Sequence, residues 1–363
     1  MSSDENPEDE DYIKHTALDF CRKQKLKEAM IKSARLIQNS SFDEISKIVN
    51  DALKLGSEND FGYEYIDDFE ERFLKKSRNP ISTGWEHVDE ISRGGLGKGE
   101  LGVAIAATGS GKSMALVHLG AQALMKGETV LHYTLELGSC VIATRYDSCI
   151  TRVPLSQTFN FKEEIYEQIK DVEGKLIIKE YPTKSASPKT IRNHLERLHQ
   201  RDIKPGMIIV DYADLLRPTM IYKEKRHDLE TIYEDLRGIA QEYNCPIWTA
   251  SQTNRSGLNA EVITMEAISE AFNKCFVADF IFTLSRTVED KRTDSGRIFV
   301  AKNRNGPDGI IYPITMRTSN VFIEVHRHLD EIPVDSVLKS AKDYKQELEK
   351  KYKKFTKKGA DNG

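Results

Sequence analysis

Residues 106–113 read AATGSGKS, a glycine-rich turn closing on Lys-Ser between an apolar run (Leu101 to Ile105) and a helical pattern (Met114 to Met125). That layout suits a polyphosphate. Backbone N–H groups of such a turn converge on an anion at a helix N-terminus, where the macrodipole also favours negative charge. The expected cradle is Ala106, Ala107, Thr108, Gly109, Ser110, Gly111, Lys112 and Ser113. Lys112 is expected to reach the β- and γ-phosphates and the Ser113 hydroxyl to ligate Mg²⁺. Alanine stands at 106 where the strict pattern has glycine, but strand, turn and helix are all in place. The ligand implied is a nucleoside triphosphate.

Further along, three polar residues follow apolar runs at places where such a ligand could meet them. In GMIIVDYADLL (206–216) four apolar residues lead into Asp211. An acid ending a central parallel strand lies beside the phosphate turn, because ligands bind at that edge of such sheets, so Asp211 is the expected Mg²⁺ partner. Glu136 ends VLHYTLE, 24 residues after Lys112. A carboxylate there could orient and deprotonate the water that attacks a γ-phosphate. Gln252 follows PIWTAS, and its amide could bond the γ-phosphate on one side and the next loop on the other, reporting whether the triphosphate is intact. Lys302 and Arg304, in AKNRNG (301–306), are two apart and so point the same way from a strand. A solvated hairpin accounts for that spacing as well as a cationic pair inserted into a neighbouring subunit's nucleotide site, with Arg304 as an arginine finger.

Two loops could place cations and amides on single-strand phosphates. One is RPTMIYKEKRHD (217–228), with Arg217, Lys223, Lys225 and Arg226; the other is QTNRSGLNA (252–260), with Asn254 and Arg255. By composition alone both are also ordinary polar surface loops.

The elements that must carry these residues alternate as α/β proteins do. Strands are expected at 101–105, 129–135, 175–180, 206–211, 246–251 and 279–284, and helices at 113–126, 138–150, 187–201, 228–243 and 264–276. Short strands at 297–302, 309–316 and 320–326 then extend one edge in antiparallel fashion. Ahead of this domain, helical spacing recurs from Thr16 to Gln38 (Leu18, Cys21, Leu26, Met30, Ala34, Ile37) and again from Phe42 to Leu53, before Gly56. The division expected is a disordered acidic N-terminus over 1–15, a helical docking region over 16–79, an ATPase domain over 80–330 and a basic tail over 331–363.

Composition narrows the class. The 363 residues are 39% hydrophobic and 30% charged, with net charge −4, so any nucleic-acid partner must be met by local basic loops rather than a global field. From Lys339 to Lys358 nine lysines face three acids, which reads as a solvated helix or tail, or as a phosphate-backbone contact. Five scattered cysteines make no zinc pattern. No apolar run reaches membrane-spanning length, and the acidic start is no secretory signal, so neither a membrane partner nor secretion is expected.

With these segments together, residues 80–327 resemble the DnaB-like replicative helicases, ring-forming RecA-type motors, and among them the T-even phage members. The resemblance rests on AATGSGKS, TLEL at Glu136 with Arg145 downstream, VDYADLLR, WTASQTNRSG and above all AKNRNG. It implies a RecA-like core with a mostly parallel sheet, ATP and Mg²⁺ as ligands, and a hexameric ring moving 5′→3′ on single-stranded DNA. It also implies nucleotide sites between subunits, with Lys302 and Arg304 acting in trans, and channel-facing loops at 217–228 and 252–260. Primase and a loader are possible partners, in the cytoplasm of a bacterial host if the gene is phage-borne. Family members usually carry a helical collar domain ahead of a linker helix; here Thr16–Gln38 resembles the linker, so the expectation is a truncated or split chain, or a dispensable collar. The other functions open to this sequence are a RecA/KaiC-like ATPase that does not unwind, and a subunit that co-assembles with a full-length helicase.

Overall fold

The structure is a computed structural model. It describes residues 78–219, 225–253, 262–263 and 275–327, a helix over 23–34 and a few positions between 45 and 69; the side chains of 225 and 226 are outside that description. The chain divides into two compact units, Met1–Ser77 and Arg78–Gly363. In the first, Ala29 and Ser33 of the 23–34 helix are buried while Met30 is 61% exposed. The buried stripe is therefore turned one position from the expected Leu26–Met30–Ala34 line, which helical spacing permits because i+3 and i+4 share a face.

The second unit contains α1 (Glu86–Ile91), β1 (Leu101–Ala106), α2 (Lys112–Met125), β2 (Thr129–Thr134), α3 (Ser139–Thr151), α4 (Lys162–Ile169), β3 (Lys175–Glu180) and α5 (Pro188–His199). These are followed by β4 (Met207–Asp211), α6 (Lys225–Glu242), β5 (Ile247–Gln252), β6 (Phe280–Ser285), α7 (Val288–Arg292), β7 (Ser295–Asn303), β8 (Ile311–Arg317) and β9 (Phe322–Val325). The strands form one nine-stranded sheet in the order β3-β2-β4-β5-β1-β6-β7-β8-β9. The first six are parallel and the last three antiparallel, as expected of an α/β fold with an antiparallel edge.

The sheet buries both faces, as parallel sheets must. One face packs Leu116, Leu119, Trp85 and Phe282 against Ala104, Ile209 and Trp248. The other packs Leu195, Tyr233, Leu236 and Ile239 against Leu101, Val103, Ile105, Ile208 and Val210. Successive residues of β1 and β4 thus belong to opposite cores, and their unbroken burial leaves the strand ends as the places where polar chemistry can emerge. The expected helix over 264–276 lies almost wholly outside the described residues.

Candidate nucleotide site

At the carboxyl edge of the sheet, β1 ends on Ala106 and α2 begins on Lys112. Ala106 is the last strand residue, paired with Gln252 of β5, and its carbonyl accepts from Thr253 N at 3.2 Å. A glycine is therefore not required there, which accounts for the alanine. Gly111 caps α2 at φ +102°, and a Cβ on it would lie 2.0 Å from Met316 Cε of β8. Its dihedral is what calls for glycine, since the Met316 methyl is the far end of a flexible side chain. At Gly109, φ +71°, a Cβ would meet nothing within 4 Å among the described residues. The first N–H groups of α2 have no intrahelical acceptor and could serve an anion. Thr108 and Gly109 are exposed, Ala107 and Ser110 buried, and Lys112 and Ser113 half-buried.

Asp211 ends β4 with its side chain wholly buried. Ser113 Oγ donates to its Oδ1 at 3.2 Å, and among the described residues its Oδ2 has no hydrogen-bond partner. Burial pushes the carboxyl up to about 6, against the pull of Ser113, Arg145 and Lys112. An unpaired buried carboxylate oxygen costs about 1–3 kcal/mol or more. The hydroxyl and carboxylate side by side are hard oxygen donors of the kind Mg²⁺ takes, in a site that phosphate oxygens and water complete. On this chemistry the residues fit the ion.

Burial also lowers the Lys112 pKa, opposed by the negative charges of Glu136, Asp211 and Asp214. Its Nζ lies 5.6 Å from the Tyr212 ring centroid. Glu136 is exposed just beyond β2, on a segment tied to β4 by Leu135 N donating to the Asp211 carbonyl at 2.9 Å. The charges of both Glu136 and Asp211 bear on Arg145 of α3, whose pKa is lowered by burial first. Lys112, Ser113, Glu136, Arg145 and Asp211 thus share one space.

Gln252 joins them from the end of β5. Its Nε2 donates to Thr108 Oγ1 at 2.7 Å and its Oε1 accepts from Tyr212 at 3.5 Å. Its backbone N–H donates to Asp214 Oδ2 at 3.3 Å, as does Ser251 Oγ, while Tyr233 donates to Asp214 Oδ1 at 2.8 Å. Sequence reasoning missed Tyr212 and Asp214. Their signal was position, one and three residues beyond the strand-ending acid.

Lys302 and Arg304 lie elsewhere. In register, Asn303 faces Phe280 at the start of β6, and Phe280 faces Gly102 at the start of β1. The pair therefore sits at the amino edge of the parallel strands, about 16 Å from the phosphate turn at 3.3 Å per strand residue. The asparagines on either side of Arg304 pin the turn. Asn303 Nδ2 donates to the Ile91 carbonyl at 2.9 Å, Asn305 Nδ2 donates to Glu100 Oε1 at 3.1 Å, and a Cβ at Gly306 would lie 2.0 Å from the Ile91 carbonyl oxygen. Lys302 Nζ stands 4.5 Å from the Phe276 ring centroid and donates to the Phe276 carbonyl. Arg304 donates to Asp279 Oδ1 at 2.9 Å.

Of the residues expected at nucleic acid, Arg217 is exposed at the carboxyl edge, after the short 3₁₀ turn Ala213–Leu215 that follows β4. Lys225 and Arg226 fall in the first turn of α6, which begins three residues before the expected start at 228. Their side chains, and Lys223, Asn254 and Arg255 entirely, lie outside the described residues.

The profile of the DnaB-like helicase C terminal domain matches residues 80–322. The chain belongs to the DnaB-like helicase family. It is 30% identical over 278 residues to a DnaB-like replicative helicase of Enterobacteria phage T4, covering 72% of this chain and 58% of that one. It is 25% identical over 277 residues to the replicative DNA helicase DnaB of Mycoplasma genitalium, covering 69% of this chain and 58% of that one. The chain thus spans a little over half the length of these relatives. Among solved structures, a DnaB-like replicative helicase studied with primase aligns at TM-score 0.63 and 15% identity, over 83% of this chain and 76% of that one. A solved ATPase domain aligns at 0.60 and 17%, over 72% and 97%. At those identities the likeness shows the fold, a RecA-like α/β core.

Proposed function

We propose that this chain is the motor of a replicative DNA helicase: a ring, hexameric by kinship, that hydrolyses ATP and moves 5′→3′ on single-stranded DNA. The observation that carries this reading is the division of the site between two edges of one sheet. Phosphate turn, acids and Gln252 stand at the carboxyl edge, and Arg304 stands at the other, beyond reach of its own turn. A neighbouring subunit that presents its amino edge to this carboxyl edge completes the site.

Each residue then has a task. The turn amides and Lys112 bind the β- and γ-phosphates. Ser113 and Asp211 would hold Mg²⁺, which when bound neutralises phosphate charge. Glu136 orients the attacking water and accepts its proton. Lys302 and Arg304 of the next subunit stabilise the charge of the departing phosphoryl group. Gln252 couples this chemistry to movement, because it touches Thr108 of the turn and opens the segment containing Asn254 and Arg255. Together with Arg217, Lys223, Lys225 and Arg226 these residues bind the DNA strand, and Arg217 stands on the same sheet edge as the nucleotide.

By kinship we extend the reading to primase and a loader as partners in a bacterial cytoplasm. Among the described residues no helix is long and apolar enough to cross a membrane.

The test is displacement of a forked duplex with a 5′ single-stranded tail, with ATP and Mg²⁺. Displacement from the 5′-tailed fork and not from a 3′-tailed one is expected. A verified ring with DNA-stimulated ATPase and no displacement would instead make this an ATPase that does not unwind. A persistent monomer would point to co-assembly with a longer helicase chain.

A further inference from the structure

Asp279, one residue before β6, is 4% exposed and carries four N–H donors. Leu101 N and Arg237 Nε donate to its Oδ2 at 3.0 and 3.1 Å, and Arg237 Nη2 and Arg304 Nη1 donate to its Oδ1 at 3.1 and 2.9 Å. Its backbone carbonyl also accepts from Arg304 N at 3.0 Å. One residue thus fixes both the root and the head of Arg304.

The two arginines differ in what their departure would cost. If the Arg304 guanidinium leaves, Asp279 Oδ1 keeps Arg237 and Oδ2 keeps both its donors, so no buried charge is stranded. If Arg237 leaves, Oδ1 keeps Arg304 alone, and losing that too would leave a buried carboxylate oxygen bare, a costly state. Exposure follows the same division, with the Arg304 side chain 45% exposed and that of Arg237 24%. Among the described residues Lys302, Arg237 and Arg304 meet one carboxylate in Asp279, and Glu100 beside Asn305 is paired by Arg78, so positive charge is left for an incoming anion.

We infer that Asp279 is a positioning residue that holds the Arg304 guanidinium poised at the subunit surface, while Arg237, its permanent partner, leaves Arg304 free to transfer to a neighbour's triphosphate. This rests on the reading that Arg304 acts in trans. Asp279 touches no reacting atom; it acts through Arg304, and a group held in place spends less entropy on reaching the transition state.

The test is steady-state ATP hydrolysis by the full chain with Mg²⁺ and single-stranded DNA, for the parent, Asp279→Asn, Arg304→Ala and the double variant, with nucleotide affinity measured alongside. Asp279→Asn is expected to lower kcat roughly tenfold or more, because small misplacements of catalytic groups cost up to about 10²-fold, with nucleotide affinity unchanged. In the Arg304→Ala background the same change should alter kcat by less than about twofold, since there is no finger left to position. Parental kcat in Asp279→Asn, or losses that multiply in the double variant, would overturn the inference and leave the trans reading standing. Near-parental turnover in Arg304→Ala would overturn both. Where Asp279→Asn fails to fold, Arg237→Gln takes its place: trapping Arg304 on the carboxylate should slow turnover only when Arg304 is present, and a loss that persists in Arg304→Ala would contradict the inference.

Discussion

Gln252 Nε2 donates to Thr108 Oγ1 at 2.7 Å, bridging the end of β5 to the phosphate turn. The two residues are far apart in sequence, and β1–β5 pairing brings their neighbourhoods together by setting Ala106 opposite Gln252. The bond takes one of the two N–H donors of the amide, so under the proposed role Thr108 Oγ1 and a γ-phosphate oxygen are alternative acceptors for that donor. Gln252→Ala is expected to retain nucleotide binding within about threefold and to lose stimulation of ATP hydrolysis by single-stranded DNA. Hydrolysis assays with and without DNA check this; full stimulation in the variant would remove Gln252 from the coupling path.

Lys112 is held against the cost of its own burial by the charges of Glu136, Asp211 and Asp214. Those charges offset only part of the burial; a phosphate would add to them, and charge-assisted bonds to phosphate are among the strongest a side chain makes. In Lys112→Ala nucleotide affinity should fall by about 10²-fold or more (~2.7 kcal/mol), with unfolding stability little changed. Titration with a fluorescent ATP analogue measures it. Parental affinity would contradict the assignment of the turn.

Asp211 sets a pH signature. Burial raises its carboxyl from 3.8 to about 6, so between those values the folded chain holds a proton that the unfolded chain releases. Stability therefore falls as pH rises from about 4 through 6, and the cost is fully present at pH 7. Without Mg²⁺ and nucleotide, Asp211→Asn should be about 1–3 kcal/mol more stable than the parent at pH 7.5, the difference closing toward pH 4. Denaturant melts at the two pH values decide it, and a parent at least as stable as the variant at pH 7.5 would contradict the buried-charge account.

The sequence made one half of the site readable and hid how the other is held. Apolar runs ending in Glu136, Asp211 and Gln252 could be ordered around AATGSGKS because parallel strands present their carboxyl ends on one edge. Helix α4 escaped notice because only Ile165 of it is buried, too little to print a stripe. Asp279 looked like a strand boundary. Its partners Leu101, Arg237 and Arg304 come from three other elements, a convergence that spacing along the chain does not encode. Lys302 and Arg304 could be read as a pair sharing a strand face, whereas their place on the far edge depends on the antiparallel register of β7 against β6.

In the proposed ring, the phosphate turn of one subunit and Arg304 of the next make one active site. Arg304→Ala alone should bind nucleotide normally and turn over roughly 10³-fold more slowly, as trans arginine fingers do, and Lys112→Ala alone should be inactive. The deciding measurement is ATP hydrolysis by rings assembled from the two variants together, with mixing verified by mass. Sites pairing an intact turn with an intact Arg304 should restore activity well above either variant alone. Mixed rings no more active than their parents would contradict a shared site.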